Sequence, residues 1–208
     1  MPKIIPPTFL FIGNEPMLDF TNTRIMAGGQ PLDLLTDFDA LLDWMGKAGL
    51  LTKEAEAAAL TWSEEAKARL HGAAIELRGH LLAVIHSLLA GEQVNVAHLA
   101  PINRLLDHQA FATRLYLENG IFREERRRLV RGPLDLLAPI AESTARFLSR
   151  NEPHLLRKCE NPDCVLHFYD NSKNGMRRWC SPKTCGNRMK VTAYLERRRA
   201  QSQSNSET

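Results

Sequence analysis

The sequence predicts a mainly α fold with one short β-hairpin in an N-terminal domain, followed by a small ββα-like C-terminal module. Three observations carry this. Apolar residues recur at three- and four-residue spacing between Leu35 and Leu88. The pattern switches to alternation on both sides of Asn119-Gly120. All four cysteines of the 208 residues fall between positions 159 and 185.

Taken in order, the first thirty residues read as irregular, with Pro2, Pro6, Pro7, Pro16 and the Gly28-Gly29 pair. Leu35, Phe38, Leu41, Leu42 and Met45 then predict a helix, with Gly46 and Gly49 as its stops. Thr52 is expected to cap a short alanine-rich helix. Ser63, followed by Glu64 and Glu65, is expected to cap a long one reaching about Ala90. Leu70, Ala74, Leu77, Leu81, Val84, Ile85 and Leu88 give that long helix its apolar face. Asn95 is placed to cap a further helix through Leu106. The segment ATRLYLENGIFREER predicts a hairpin, because Asn-Gly favours the left-handed turn that joins two strands tightly. PLDLLAPIAESTARFLSR returns to helix despite Pro139 and ends near Asn151-Glu152-Pro153, the best domain boundary in the chain. The division expected is therefore a helical domain over 1–152, a module over 153–199 and a disordered polar tail over 200–208.

Hydrophobic residues make up 44% of the chain and charged residues 25%, ordinary for a globular protein. No uninterrupted apolar run approaches the roughly 18 residues that span a bilayer, so no membrane association is expected. The start, MPKIIPPTFLFIG, is too proline-broken for a signal-peptide core. A cytoplasmic chain keeps its thiols reduced, which favours metal or redox chemistry over disulfides for clustered cysteines.

The net charge of +3 is unevenly spread. Residues 157–199 hold eleven Lys/Arg against four Asp/Glu, a net of +7, whereas residues 1–156 hold sixteen against nineteen, a net of −3. A mildly acidic body carrying a basic module points to a polyanionic partner for the module.

The cysteines stand as Cys159-x4-Cys164-x15-Cys180-x4-Cys185, two matched pairs separated by a loop. Each pair brackets a turn, Asn161-Pro162-Asp163 in one and Ser181-Pro182-Lys183 in the other. That is the layout of a tetrahedral four-thiolate zinc site. Four thiolates leave no open position, so the expected ion is a single structural Zn²⁺, and its binding should supply much of the folding free energy of a segment with little core. A thioredoxin-like redox pair would need two intervening residues and a βαβ context. Zinc with four thiolates adds −2, leaving the module near +5. VLHFYDNSKNGMRRW reads as a hairpin around Asn174-Gly175 with Phe168 and Trp179 as a small core, and His167 reads as a polar hairpin residue and not a fifth ligand. A helix is expected from Asn187 to about Arg199, with Val191 and Leu195 toward the core. Arg197 to Arg199 would also suit a helix C-terminus, where cations are favoured.

These residues resemble the CGNR zinc-finger family, through Cys185-Gly186-Asn187-Arg188, both cysteine pairs, Phe168, Asp170, Ser172, Arg177-Arg178-Trp179-Cys180 and Lys190. Pro182 stands where much of that family has Met. The upstream part resembles the ABATE domain, through Leu18-Asp19-Phe20-Thr21-Asn22-Thr23, the helix around Leu42-Asp43-Trp44 and the helix before Cys159. The resemblance implies a bacterial DNA-binding transcription regulator.

Three functions are weighed. The first is a regulator whose Arg177, Arg178, Arg188, Lys190, Arg197, Arg198 and Arg199 contact double-stranded DNA, with Arg188 the first choice for reading a base. Its helical domain would serve as a dimer contact or take a small-molecule effector. The second is a zinc-stabilised RNA-binding or protein-interaction module, which would use exposed aromatics. The third is an enzyme with its site at Asp19, Asn22 and Thr23. Loop capping and main-chain hydrogen bonding are the preferred roles for that cluster, and no nucleophile motif accompanies it, so no catalysis is expected. Arg126-Arg127-Arg128 reads as a solvated strand beside Glu124 and Glu125.

Overall fold

The structure is a computed structural model, and it describes residues 8–150 and 152–204. Residues 1–7, the Asn151 of the expected boundary and the last four residues of the expected tail lie outside the described residues. Contacts divide the chain into two compact units: residues 1–33 with 152–208, and residues 34–151. One junction lies between residues 151 and 152. The second junction lies between Asp33 and Leu34.

In the helical unit, α2 (Phe38–Lys47) starts where Asp37 accepts a hydrogen bond from Ala40 N at 2.8 Å. It runs through Gly46, which does not stop it. The stop is Gly49, whose φ of +68° lets Leu50 N–H reach back to Met45 O at 3.0 Å. The next two helices, α3 (Lys53–Leu60) and α4 (Glu64–Ala90), are capped by the Thr52 and Ser63 hydroxyls as expected. The apolar stripe of α4 is buried from Leu70 to Ile85 and packs on α2 and on the 3-10 turn Pro133–Leu137. By length and composition α4 could cross a membrane, yet this stripe faces the core of its own unit.

Asn95 caps only a 3-10 turn, Val96–His98. The following helix, α5 (Ala100–Asp107), starts late because Pro101 lacks an N–H and fits only a first turn. The same rule sets α6 (Ala138–Ser149), with Pro139 in its opening turn. Between them β3 (Ala110–Glu118) and β4 (Ile121–Leu129) form a nine-pair antiparallel hairpin closed by Asn119 and Gly120 at φ +50° and +77°. The expected hairpin is present, and it is longer than the alternation suggested. Trp44, Met45, Leu81, Val84, Ile85, Ile140 and Ala141 are fully buried, and each large one contributes about 1.5–3 kcal/mol.

The zinc-bearing unit departs more from expectation. Its N-terminal residues are not irregular: they form α1 (Pro16–Thr21) and the hairpin β1 (Arg24–Ala27) with β2 (Gln30–Asp33), turned at Gly28-Gly29. The loop at Asn174-Gly175 turns, but no second strand follows. Instead β6 (His167–Tyr169) pairs backward with β5 (Leu156–Lys158). Its other edge is taken by the N-terminal segment, since Tyr169 N donates to Gly13 O at 2.8 Å and Asn14 Nδ2 donates to Tyr169 O at 2.8 Å. Both edges are filled, so Met176 and Arg177 have nothing to pair with. The last helix, α7 (Asn187–Ser204), continues past Arg199 through residues expected to be disordered. Val191 and Leu195, expected to face the core, are 57% and 46% exposed, while Met189 and Ala193 are the half-buried positions.

Candidate metal centre and nucleic-acid interface

Cys159 and Cys164 lie in the loop between β5 and β6, whereas Cys180 precedes a turn of π-helix, Pro182–Gly186, and Cys185 lies within it. Each pair converges for a local reason. In the first, Cys164 N donates to Asn161 O at 2.9 Å, and Cys159 N donates across the ladder to Leu166 O at 3.0 Å. In the second, Ser181 Oγ accepts from Thr184 N at 3.3 Å and Gly186 N donates to Ser181 O at 3.0 Å. Pro182 opens this turn, where a missing N–H costs nothing. Gly186 sits at a close approach: a Cβ there would lie 3.0 Å from Trp179 Cδ1, so the indole would have to shift to admit one.

All four cysteines are buried, and their sulfurs lie within 4.8 Å of one another. Cys164 Sγ is 3.8 Å from Cys180 Sγ, which is 3.5 Å from Cys185 Sγ. Zinc–sulfur bonds of about 2.3 Å set sulfurs about 3.8 Å apart in a tetrahedron, so the donor set fits one structural zinc. Donors to sulfur are also in place, with Cys180 N 3.3 Å from Cys159 Sγ and Asn161 Nδ2 3.4 Å from Cys185 Sγ. The hydrogen bond from Cys180 pulls the Cys164 thiol down to about 5, despite burial. The same bond, and then burial, pushes Cys180 up.

Around this centre a set of buried and half-buried polar groups adds to the apolar side chains Met17, Leu18, Phe20 and Phe168. Asp170 accepts from Ser172 Oγ at 2.6 Å, Ser172 N at 3.0 Å and Arg177 N at 2.8 Å. Burial opposes its ionisation, and these bonds outweigh burial and hold its carboxyl below the usual range. Asn22 pairs with the His167 main chain in both directions, donating to O at 2.8 Å and accepting from N at 2.9 Å. Asp19 Oδ1 accepts from Gly13 N at 2.7 Å and Ile12 N at 2.9 Å. Thr23 Oγ1 donates to Phe20 O at 2.7 Å. The Asp19, Asn22 and Thr23 side chains therefore all bond main chain.

The basic residues divide into two groups. Arg177 is turned inward: Nε donates to Trp179 O at 3.0 Å, Nη2 donates to Ile12 O at 2.9 Å and to Cys180 O, and the guanidinium lies 4.0 Å over the Phe168 ring. Three of its five N–H donors are thus directed to main-chain oxygens, two of them at Trp179 and Cys180 beside the zinc turn. Arg178, Arg188, Lys190, Arg197, Arg198 and Arg199 are exposed. Of these, Arg178 pairs with Glu160 at 2.6 Å and lies over the half-buried Trp179 ring. Because α7 ends at Ser204, Arg197 to Arg199 lie inside the helix, and the favourable field of a helix C-terminus does not account for them.

In the helical unit, the arginine run is not uniformly solvated. Arg126 and Arg128 lie over Phe111, and Arg128 bonds Glu142 at 2.5 Å. On the other face of the hairpin, Arg114 and Arg127 line a cavity of about 370 Å³ against the first turn of α3, beside Glu54 and Glu125. No sequence signal marked this cavity, because α3 and the hairpin are far apart in the chain.

Two family models match the chain. The CGNR zinc finger matches residues 156–198, and the ABATE domain, described as "Putative stress-induced transcription regulator", matches residues 14–151. No curated protein matches it.

Proposed function

Because this chain belongs to the ABATE family and ends in a CGNR zinc finger, we propose that it is a double-stranded-DNA-binding transcription regulator of the bacterial cytoplasm. The observation that carries the reading is the exposed basic set on α7, anchored beside a closed metal centre. Zinc supplies rigidity: it fixes the turn from which α7 starts, with no open position for a substrate. Arg178, Arg188, Lys190, Arg197, Arg198 and Arg199 neutralise phosphates. Arg177 braces the zinc turn.

The helical unit pairs two copies and takes an effector. Support for pairing is the β3–β4 hairpin, whose Leu115, Leu117 and Phe122 are 69%, 61% and 72% exposed, on a two-stranded ribbon that has little stability alone. Support for the effector is the cavity at Arg114 and Arg127, which suits a small anion or zwitterion. The chain is non-catalytic in this reading, consistent with main-chain bonding by Asp19, Asn22 and Thr23.

The test is fluorescence anisotropy of the zinc-loaded full chain on duplex DNA, single-stranded DNA and RNA over a salt series. Duplex preference, with a log–log slope of about −4 to −5 per module, is expected for four to six phosphate contacts. Preference for RNA or single strands would favour the alternative binding module, and no salt-dependent binding would favour a protein partner.

A further inference from the structure

Helix α7 wears its apolar residues on the wrong side for a core helix. With about 100° per residue, half-buried Met189 and Ala193 mark the inward side. The line opposite them runs through Asn187, Val191, Tyr194, Leu195 and Arg198. Val191, Tyr194 and Leu195 are 57%, 52% and 46% exposed. Basic residues stand on both flanks of this line, Lys190 and Arg197 on one and Arg188 and Arg199 on the other. The acidic residue of the segment, Glu196, falls on the inward side.

We infer that this outward line is the base-reading surface of α7, and that Val191 and Leu195 recognise thymine methyl groups in the major groove. The inference rests on the duplex-DNA reading above and specifies its target chemistry. A major groove about 12 Å wide admits one helix, with the two phosphate chains along its sides. The flanks match those chains in sign and position, and the central line meets the floor, where the C5 methyl of thymine is the apolar feature. A second copy of α7 fits less well, because pairing apolar lines would bring positive flanks together. A lipid surface fits less well too, because the apolar line is three residues long, bounded by Asn187 and Arg198. Arg188 becomes a flank residue that positions the helix.

The test begins with a duplex selected from a random pool by the zinc-loaded full chain. Each thymine is then replaced singly by uracil, which removes only the methyl group. Wild type should lose roughly fourfold in affinity at one or two positions, the effect of one buried methyl. In Val191→Ala or Leu195→Ala the discrimination at one such position should vanish, with zinc content and helicity unchanged because both residues are exposed. Arg199→Ala should weaken all duplexes alike. Sequence-selective binding indifferent to every uracil would overturn the inference and leave the DNA reading standing. So would Ala variants that change only sedimentation or vesicle binding. Failure to select any duplex would overturn both.

Discussion

The two units hold themselves together by different means. The helical unit buries Trp44, Met45, Leu70, Leu81, Val84 and Ile85 in one apolar core. The zinc-bearing unit buries far fewer large apolar side chains and instead buries four thiols, Asn22, Asp170, Asn161 and His167. A core of apolar contacts degrades gradually as methyl groups are removed. A core of ligands and paired polar groups fails as a set, because each lost partner strands a buried group.

The largest test of that contrast is removal of zinc. Chelation, or Cys180→Ser, should unfold the zinc-bearing unit, since structural zinc is worth about 10–16 kcal/mol in small domains. Circular dichroism should keep the signal of α2 to α6, and proteolysis should cut between Glu152 and Ser204. Loss of all helicity in one step would show that the units are not separately stabilised. The reciprocal test is Leu81→Ala, which should cost about 2–5 kcal/mol in the helical unit while leaving zinc content at one per chain. Asn22→Ala should cost roughly 2–4 kcal/mol in the zinc-bearing unit, by stranding the buried N–H and C=O of His167. Denaturation of the zinc-loaded chain measures it, and retained zinc separates anchoring from ligation.

The smallest test is Asp19. Burial raises its carboxyl to about 6, despite hydrogen bonds from Gly13 and Ile12 N–H. The folded state therefore holds the proton more tightly than the unfolded chain. That stability is fully present below about pH 4 and is lost as pH rises through about 6. Asp19→Asn keeps the accepting oxygen and removes the charge. It should melt above wild type at pH 8, by roughly 2–3 kcal/mol, with the gap narrowing toward pH 5. A gap constant across that range would mean that partial burial does not hold the Asp19 proton.

Sequence spacing carried the parts of this fold that are local. Helix faces in α2 and α4, the caps Thr52 and Ser63, the Asn119-Gly120 turn and the four thiols all act within a few residues of where they are written. What spacing could not carry was pairing at long range. Asn22 and His167 are 145 positions apart, so nothing near either told that one completes the other's strand edge. That pairing, with Tyr169 N to Gly13 O, Asn14 to Tyr169 O and Arg177 to Ile12 O, ties residues 1–33 to the zinc module and fills the free edge of β6. Arg177 and Arg178 read alike as adjacent cations. Only the fold separates them, since Ile12 O lies 165 positions from Arg177. Along α7, Val191 and Leu195 are the apolar choice by spacing, whereas the helix as it leaves the zinc turn has Met189 and Ala193 half-buried.

The most direct measurement is one anisotropy titration made twice on the same sample, with a selected duplex, before and after chelation. Circular dichroism on both halves reports the helical unit. Zinc-loaded chain should bind with a salt slope of about −4 to −5 per module, and chelated chain should lose that binding while keeping the helicity of residues 34–151. Equal affinity before and after chelation, with zinc shown to be gone, would contradict the assignment of DNA binding to the zinc-held α7.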